Sequence, residues 1–209
     1  MRIDALSNKP DRAGRYLVRL DSGESMRLYR QTVEDHGLFP GKELSEEELK
    51  KLRSDAGQMS AKMRAVRIVS ASGVSKDELY RRLVQKGENP TQAHQAVQWM
   101  SDLNLVDDRQ IAEQIVSRCI NRGYGLAKAK QILYEKRVPK QYWQEVLEDY
   151  PDQTEHILEF LRSRLTSDSD GREQKRVTDA LIRRGHSYSQ IRNAMQLLDF
   201  NEILEDNYG

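Results

Sequence analysis

The side chains with the clearest chemical potential are cations grouped around one turn. Between Gln114 and Arg137 stand Arg118, Arg122, Lys128, Lys130, Lys136 and Arg137 against a single acid, Glu135. The run Arg122-Gly123-Tyr124-Gly125 sets an aromatic between two glycines directly ahead of Lys128 and Lys130. Cations, backbone amides at a helix start and one aromatic ring together suit the phosphates and bases of a nucleic acid. The same residues have a structural use: Gly123 ends a helix, Tyr124 packs into the groove between helices, and the cations are solvated. Arg81, Arg82 and Lys86 extend the basic positions upstream, and Arg183 and Arg184 extend them downstream. A long polyanion could therefore be followed by several parts of the chain.

Catalysis finds little support. His36, His94, His156 and His186 are scattered, with no His-x-x-x-His or Cys-x-x-Cys spacing for zinc. There is no Gly-x-x-x-x-Gly-Lys-Ser/Thr loop for nucleotide phosphates and no Gly-x-Ser-x-Gly nucleophile turn. Cys119, the single cysteine, excludes an intrachain disulfide and a thiolate cage. It falls on the apolar face of its helix, which predicts a buried structural thiol. Asp107 and Asp108 are adjacent and do not share a helix face, so they read as capping residues rather than a catalytic pair. No cofactor and no metal are expected, and the chain reads as a non-enzyme.

The elements that must position these cations are mostly helices. The 209 residues are 37 % hydrophobic, 32 % charged and 7 % aromatic, a balance that fits several small solvated helical units better than one thick core. The net charge of +1 is unevenly spread. Residues 1–58 carry 11 Lys+Arg and 11 Asp+Glu, residues 59–137 carry 14 and 8, and residues 138–209 carry 9 and 14. A basic middle beside an acidic end suits a protein that meets a polyanion on one stretch. The acidic stretch from Asp199 to Asp206 either restrains such a contact or is a frayed helix end. No apolar run reaches the ~18 to 20 residues of a membrane-spanning helix, and the opening residues are polar. A cytoplasmic protein without a membrane partner is expected.

The first 58 residues form a module of their own. Tyr16, Val18 and Leu20 alternate with Leu17 and Arg19, a turn follows at Asp21-Ser22-Gly23, and Met26 to Tyr29 resumes an extended pattern, which predicts a β-hairpin. An isolated hairpin is marginal in water, so a third strand over Arg2 to Leu6, or a helix packed against the hairpin, is expected. A short helix from Thr32 to His36 and a capping box of Ser45 and Glu48 complete the module, which ends near Gly57.

Beyond Ser60 the pattern predicts helices over 60–71, 76–86, 90–103, 108–122, 126–136, 139–150, 153–165, 172–184 and 188–199. These group as three sets of three. A shift of 98 places Leu83 on Leu181, Lys86 on Arg184, Gly87 on Gly185 and Ala96 on Ala194, and a shift of 50 places Leu83 on Leu133 and Lys86 on Lys136. A cation at the last turn of each second helix is favoured by the helix dipole by ~0.3 to 1 kcal/mol, which explains the slot without a ligand. The expected fold is mainly α: three tandem three-helix, helix-turn-helix-like repeats (59–104, 105–150 and 151–209 with its acidic tail) behind a β-hairpin module (1–58). Each unit is too small to bury its own faces, so an elongated array follows.

The run LVDDRQIAEQIVSR over Leu105–Arg118, the Arg122-Gly123-Tyr124-Gly125 turn and the run QILYEK over Gln131–Lys136 together resemble the RecX family, bacterial regulators of the RecA recombinase. The resemblance is strongest over about residues 74–150 and continues through the third set of helices; the hairpin module resembles an N-terminal extension of some members. It implies a non-enzymatic protein that binds the RecA filament on single-stranded DNA, inhibits its ATPase, strand exchange and growth, and so limits recombinational repair and the SOS response. RecA, single-stranded DNA and duplex DNA are the implied partners, and a monomer is expected. Arg118, Arg122, Lys128 and Lys130 would contact phosphate or filament, with Tyr124 setting the local geometry. The competing reading is a helix-turn-helix-like transcription regulator. In that case Gln92, Gln95 and Gln98 come nearest to a base-reading set.

Overall fold

A computed structural model describes the backbone of residues 1–166 and 169–208 and the side chains of residues 1–166 and 169–198. The chain forms two compact units, Met1–Asp107 and Asp108–Gly209.

The first unit opens with an antiparallel sheet of three strands in sequence order, β1 (Ile3–Leu6), β2 (Arg15–Leu20) and β3 (Ser25–Tyr29). Pairing runs from Arg15 opposite Tyr29 to Arg19 opposite Ser25, and β1 adds Ile3 opposite Leu20 across a bulge. Period-two alternation sends Val18 and Leu20 inward while Leu17 and Arg19 face out. The expected third strand is thus present, and a short helix α1 (Arg30–Asp35) follows.

The sequence pattern breaks the chain at Gly57, yet one helix, α2, runs from Glu46 to Ala71. Its start is the expected capping box: the Glu48 amide donates to Ser45 Oγ at 3.1 Å, and the Ser45 amide donates to the Glu48 carboxylate at 2.8 Å. The apparent break arises because the apolar stripe changes sides. At 100° per residue, Leu49, Leu52 and Ala56 lie on one face, and Ala61, Ala65 and Ile68 lie on roughly the opposite one. The first face closes a core with Ile3, Val18, Leu20 and Leu28. The second closes another with Leu79 and Leu83 of α3 (Lys76–Gln85) and Ala93, Ala96, Val97 and Met100 of α4 (Pro90–Asp102). Gly57 costs helix stability, but the Gln92 side chain lies where its Cβ would stand.

The second unit begins with α5 (Asp108–Asn121) and α6 (Leu126–Glu135). Where one helix over 139–150 is expected, a 3-10 turn at Lys140–Tyr142 leads into a short α7 (Trp143–Leu147). The indole N–H of Trp143 donates to the Val138 carbonyl at 3.0 Å, folding the segment back on itself so that Trp143, Tyr142 and Tyr150 fill the gap beside α5 and α6. The remaining helices are α8 (Thr154–Arg162), α9 (Gly171–Arg183) and α10 (Tyr188–Tyr208), the last extending beyond the expected end at Asp199. The acidic side chains from Asp199 to Asp206 lie outside the described side chains. Two cores result, one of Ala112, Ile115, Val116, Cys119, Ala129, Leu133 and Val138, the other centred on Ile157, Leu161, Leu181 and Ile191.

Three helix ends share one geometry. Lys86, Lys136 and Arg184 are the cap residues of α3, α6 and α9, with φ of −87°, −84° and −80°. Each is followed by a residue at positive φ: Gly87, Arg137 and Gly185. The next amide then reaches back five residues, from Glu88 to Leu83, from Val138 to Leu133 and from His186 to Leu181. This is the Schellman arrangement, and it satisfies carbonyls that the helix end would leave unpaired. Leu83, Leu133 and Leu181 are fully buried beneath it.

Candidate functional site

The α5–α6 turn is where the second unit gathers its cations. Ile111, Ala112, Ile115, Val116, Cys119 and Ile120 form the buried face of α5, which leaves Arg118 and Arg122 exposed. Burial pushes the Cys119 thiol up, against the opposing fields of Arg122 and Lys128. Both cations therefore lie close enough to act on one sulfur. The buried thiol matches the structural role expected of it. Lys128 Nζ donates to Gln131 Oε1 at 3.1 Å, a neutral partner that leaves its charge uncompensated.

The turn itself is a joint rather than a flexible loop. Gly123 takes φ of +61°, and a Cβ there would meet His156 at 2.7 Å. Gly125 donates its amide to the Arg184 carbonyl at 2.9 Å, and a Cβ on it would sit 2.1 Å from the Gly185 carbonyl oxygen. A Cβ on Gly185 would meet the Lys128 amide nitrogen at 2.3 Å. His186, buried, lies with Nε2 3.0 Å from the Gly123 carbonyl. The α9–α10 turn is thus seated on the α5–α6 turn. The Gly125 amide, part of the anticipated amide surface for phosphate, is occupied by protein.

Tyr124 is half-buried against the core of α5 and α6, and its ring lies beneath the Arg184 guanidinium, 5.7 Å from the ring centroid. Arg184 also stands over Phe160 at 4.7 Å. The Tyr124 carbonyl accepts the Tyr150 hydroxyl at 2.6 Å, and burial pushes the Tyr150 phenol up to about 12. Of the two uses open to Tyr124, the groove-packed one is realised, with a cation–π contact added. Arg184, whose slot the repeat pattern had marked, is the residue that joins Tyr124.

Lys130 stands apart from that joint. It lines a cavity of about 430 Å³ with Leu126, Lys140, Trp143, Leu147 and Glu148. Lys140 and Trp143 were not marked by sequence, although a cation three residues before an indole is a readable signal. Lys136 and Arg137 lie at the end of α6, exposed. Asp108 opens α5 and is buried, in keeping with a local structural role.

In the first unit, Arg81 is exposed on α3, while Arg82 and Lys86 line a second cavity together with Arg15, Arg64 and Arg67. The last three went unmarked; Arg64 and Arg67, three residues apart, share a helix face, and that spacing was the available signal. The glutamines proposed as base readers are partly engaged. Gln92 Nε2 donates to the Ser54 carbonyl at 3.2 Å, and Gln98 Nε2 donates to Asp102 at 2.7 Å. Among the described residues no group of three His, Cys, Asp or Glu side chains could hold a metal ion, and no helix is long and apolar enough to cross a membrane.

No protein-family model matches the chain. Individual relatives do. Regulatory protein RecX of Chromohalobacter salexigens is 31 % identical over 133 residues, which cover 63 % of this chain and 88 % of the relative. Regulatory protein RecX of Clostridioides difficile is 24 % identical over 208 residues, 96 % of each chain. Among solved structures, that of a regulatory protein RecX matches with a TM-score of 0.60 at 20 % identity over 92 % of this chain and 98 % of its own. RecX from Lactobacillus salivarius matches with a TM-score of 0.58 at 23 % identity over 69 % and 97 %. At those identities the structures speak for the fold, and the sequence relatives carry the assignment: the chain belongs to the RecX family of regulatory proteins.

Proposed function

We propose that the protein is a non-enzymatic regulator that binds the RecA filament on single-stranded DNA and inhibits its ATPase, strand exchange and growth, moderating recombinational repair and the SOS response in the cytoplasm. The observation that carries this reading is the α5–α6 turn. Arg118, Arg122 and Lys128 flank a turn whose backbone is locked by glycine-to-glycine packing, and Lys130 adds a cation on another side of α6. A rigid cationic ridge of this kind holds phosphates or an acidic filament surface without first having to order itself. We read residues 59–104, 105–150 and 151–209 as three repeats behind the module 1–58, acting as a monomer. The cations Lys86, Lys136 and Arg184 at the matching ends of α3, α6 and α9 support that reading, although the turn itself also closes α1, α4 and α5. Lys136, Arg137, Arg81, Arg82 and Lys86 would then extend the contact beyond the ridge. A transcription regulator is less well supported, because Gln92 and Gln98 are engaged within the protein.

The test is ATP hydrolysis by RecA on single-stranded DNA while the protein is titrated in, beside a variant with Arg118, Arg122, Lys128 and Lys130 changed to Ala. Substoichiometric inhibition, reduced at least tenfold in the variant, is the expected result. No inhibition by either protein at low salt refutes the reading.

A further inference from the structure

The first unit contains a cationic cavity that the ridge does not explain. It measures about 490 Å³ and is lined by Arg15, Arg64, Arg67, Arg82 and Lys86 together with Ala13, Ile68 and Ala71. Its cations come from three elements: β2, the last turns of α2, and the end of α3. Such convergence is not a by-product of one helix face, since residues at unrelated sequence positions must meet.

Each guanidinium is held. Arg15 pairs with Asp11 at 2.8 Å, Arg64 with the buried Glu88 at 2.6 Å, and Arg82 with Glu78 at 2.7 Å. Arg64 Nη1 also donates to the Lys86 carbonyl at 2.9 Å. Arg67 donates from Nε to the Met63 carbonyl at 3.1 Å and from Nη2 to the Tyr29 hydroxyl. These contacts use only some of the five N–H groups that each arginine carries, so further donors face the cavity. Five cations meet three carboxylates, and neither Arg67 nor Lys86 has a carboxylate partner among the described residues. The cavity therefore keeps a positive charge of two that its own acids do not cancel.

We propose that this cavity binds the phosphodiester backbone of single-stranded DNA, as a phosphate-binding site of the first unit separate from the α5–α6 ridge. Guanidinium groups already held by protein acceptors match phosphate oxygens in fork geometry and lose little freedom on binding. No aromatic ring and no amide side chain lines the cavity, so it offers nothing to stack a base or read its edge. That absence among the lining residues favours a sequence-independent backbone contact over a mononucleotide. The choice of single-stranded DNA rests on the filament reading above; the preference for phosphate rests on the cavity alone.

The experiment measures anisotropy of a labelled oligo-dT across a salt series, using the full chain, Arg67→Gln with Lys86→Gln, Lys86→Gln alone, and Arg118→Gln with Arg122→Gln. At about 0.7 counterions released per single-strand phosphate, losing two contacts flattens the slope of log K against log salt by about 1.4. Affinity at low salt should fall about tenfold, with half the slope change in Lys86→Gln. Exposed Lys86 can be replaced without loss of fold, so the single variant stands if the double one melts early. Unchanged slope and affinity in folded variants overturn the proposal, as does equal competition by polyglutamate and by unlabelled DNA of the same charge. The filament reading fails separately: if wild-type protein leaves RecA hydrolysis untouched while the cavity variants still lose DNA affinity, the cavity stands and the filament assignment falls.

Discussion

The ends of α3 and α9 carry the same turn and use it for opposite purposes. At α3, Gly87 at φ of +87° has nothing within 4 Å of where a Cβ would stand, and Lys86 before it reaches outward into the cationic cavity. At α9, Gly185 at +89° lies against the backbone of Lys128, and Arg184 before it is folded over Tyr124 and Phe160. One helix-ending device therefore presents a cation in the first unit and makes a packed joint in the second. A repeated motif fixes local backbone geometry; what it does is decided by what stands next to it.

The sharpest test substitutes the two glycines in parallel. Both are at positive φ, where a side chain costs about 1 to 2 kcal/mol. Gly185→Ala must also displace the start of α6, since the obstructing atoms are backbone, and a total loss of about 3 kcal/mol or more is expected. Gly87→Ala should lose only the first amount. Urea denaturation of both variants measures this, and equal losses would erase the distinction between an open turn and a joint. Gly125→Ala, at ordinary φ but facing the Gly185 carbonyl, should resemble Gly185→Ala.

The next largest effect concerns the residue after each positive-φ position. Glu88 is buried beside Arg64, with the Ser60 hydroxyl donating to it at 3.0 Å, whereas Val138 fills the matching position at the end of α6. Arg64→Ala leaves a buried carboxylate with one hydroxyl donor and should cost about 2 kcal/mol, moderated by the partial exposure of Arg64. Adding Glu88→Val should restore most of it. A double variant no more stable than Arg64→Ala would mean that Glu88 is not the group being compensated.

Much of this was legible in the sequence, and the failures have physical causes. The sheet, the capping box of Ser45 and Glu48 and the apolar face of α5 were readable because each is set by spacing within a few residues. The continuity of α2 was not, because its stripe changes sides between Ala56 and Ala61 to serve two cores, and a pattern reading treats that as a break. The exposed face that carries Arg118 and Arg122 follows from the same spacing. The packing of Gly123 and Gly125 was hidden, since the atoms that forbid a side chain there belong to residues 33 to 61 positions away. The cavity was half visible through Arg82 and Lys86; Arg15, Arg64 and Arg67 join it only through tertiary packing.

At the α9 joint the residue after the glycine is His186, and burial holds its imidazole below the ordinary value of 6.5, outweighing the Gly123 hydrogen bond. The neutral ring directs Nε2 to that carbonyl, while Nδ1 is buried without a partner. Arg184 and His156 lie close enough to oppose protonation further. The unfolded chain binds a proton at higher pH than the folded one, so the stability tied to the neutral ring is complete above about 6.5 and lost as pH falls toward the lowered folded value. The second unit should melt progressively earlier below that pH. His186→Gln should flatten this dependence, and an unchanged profile would show that another group sets it.

The smallest effect comes from the third copy of the turn, where Arg137 takes φ of +56° in place of glycine. A β-carbon in that conformation is strained, and nothing about the backbone there requires arginine. Arg137→Gly removes the strain but also frees the unfolded chain, so a net gain of about 0.5 to 1 kcal/mol is expected in urea denaturation. The substitution also removes a cation from the end of α6. If Arg137 is a DNA contact, as proposed, the stabilised variant should bind oligo-dT more weakly, with a slope against log salt smaller by about 0.7. A more stable protein with undiminished binding would make this copy of the turn, like that at α9, a purely structural one. Weaker binding with higher stability would make Arg137, like Lys86, a cation presented for binding, but one held there at a cost in backbone strain.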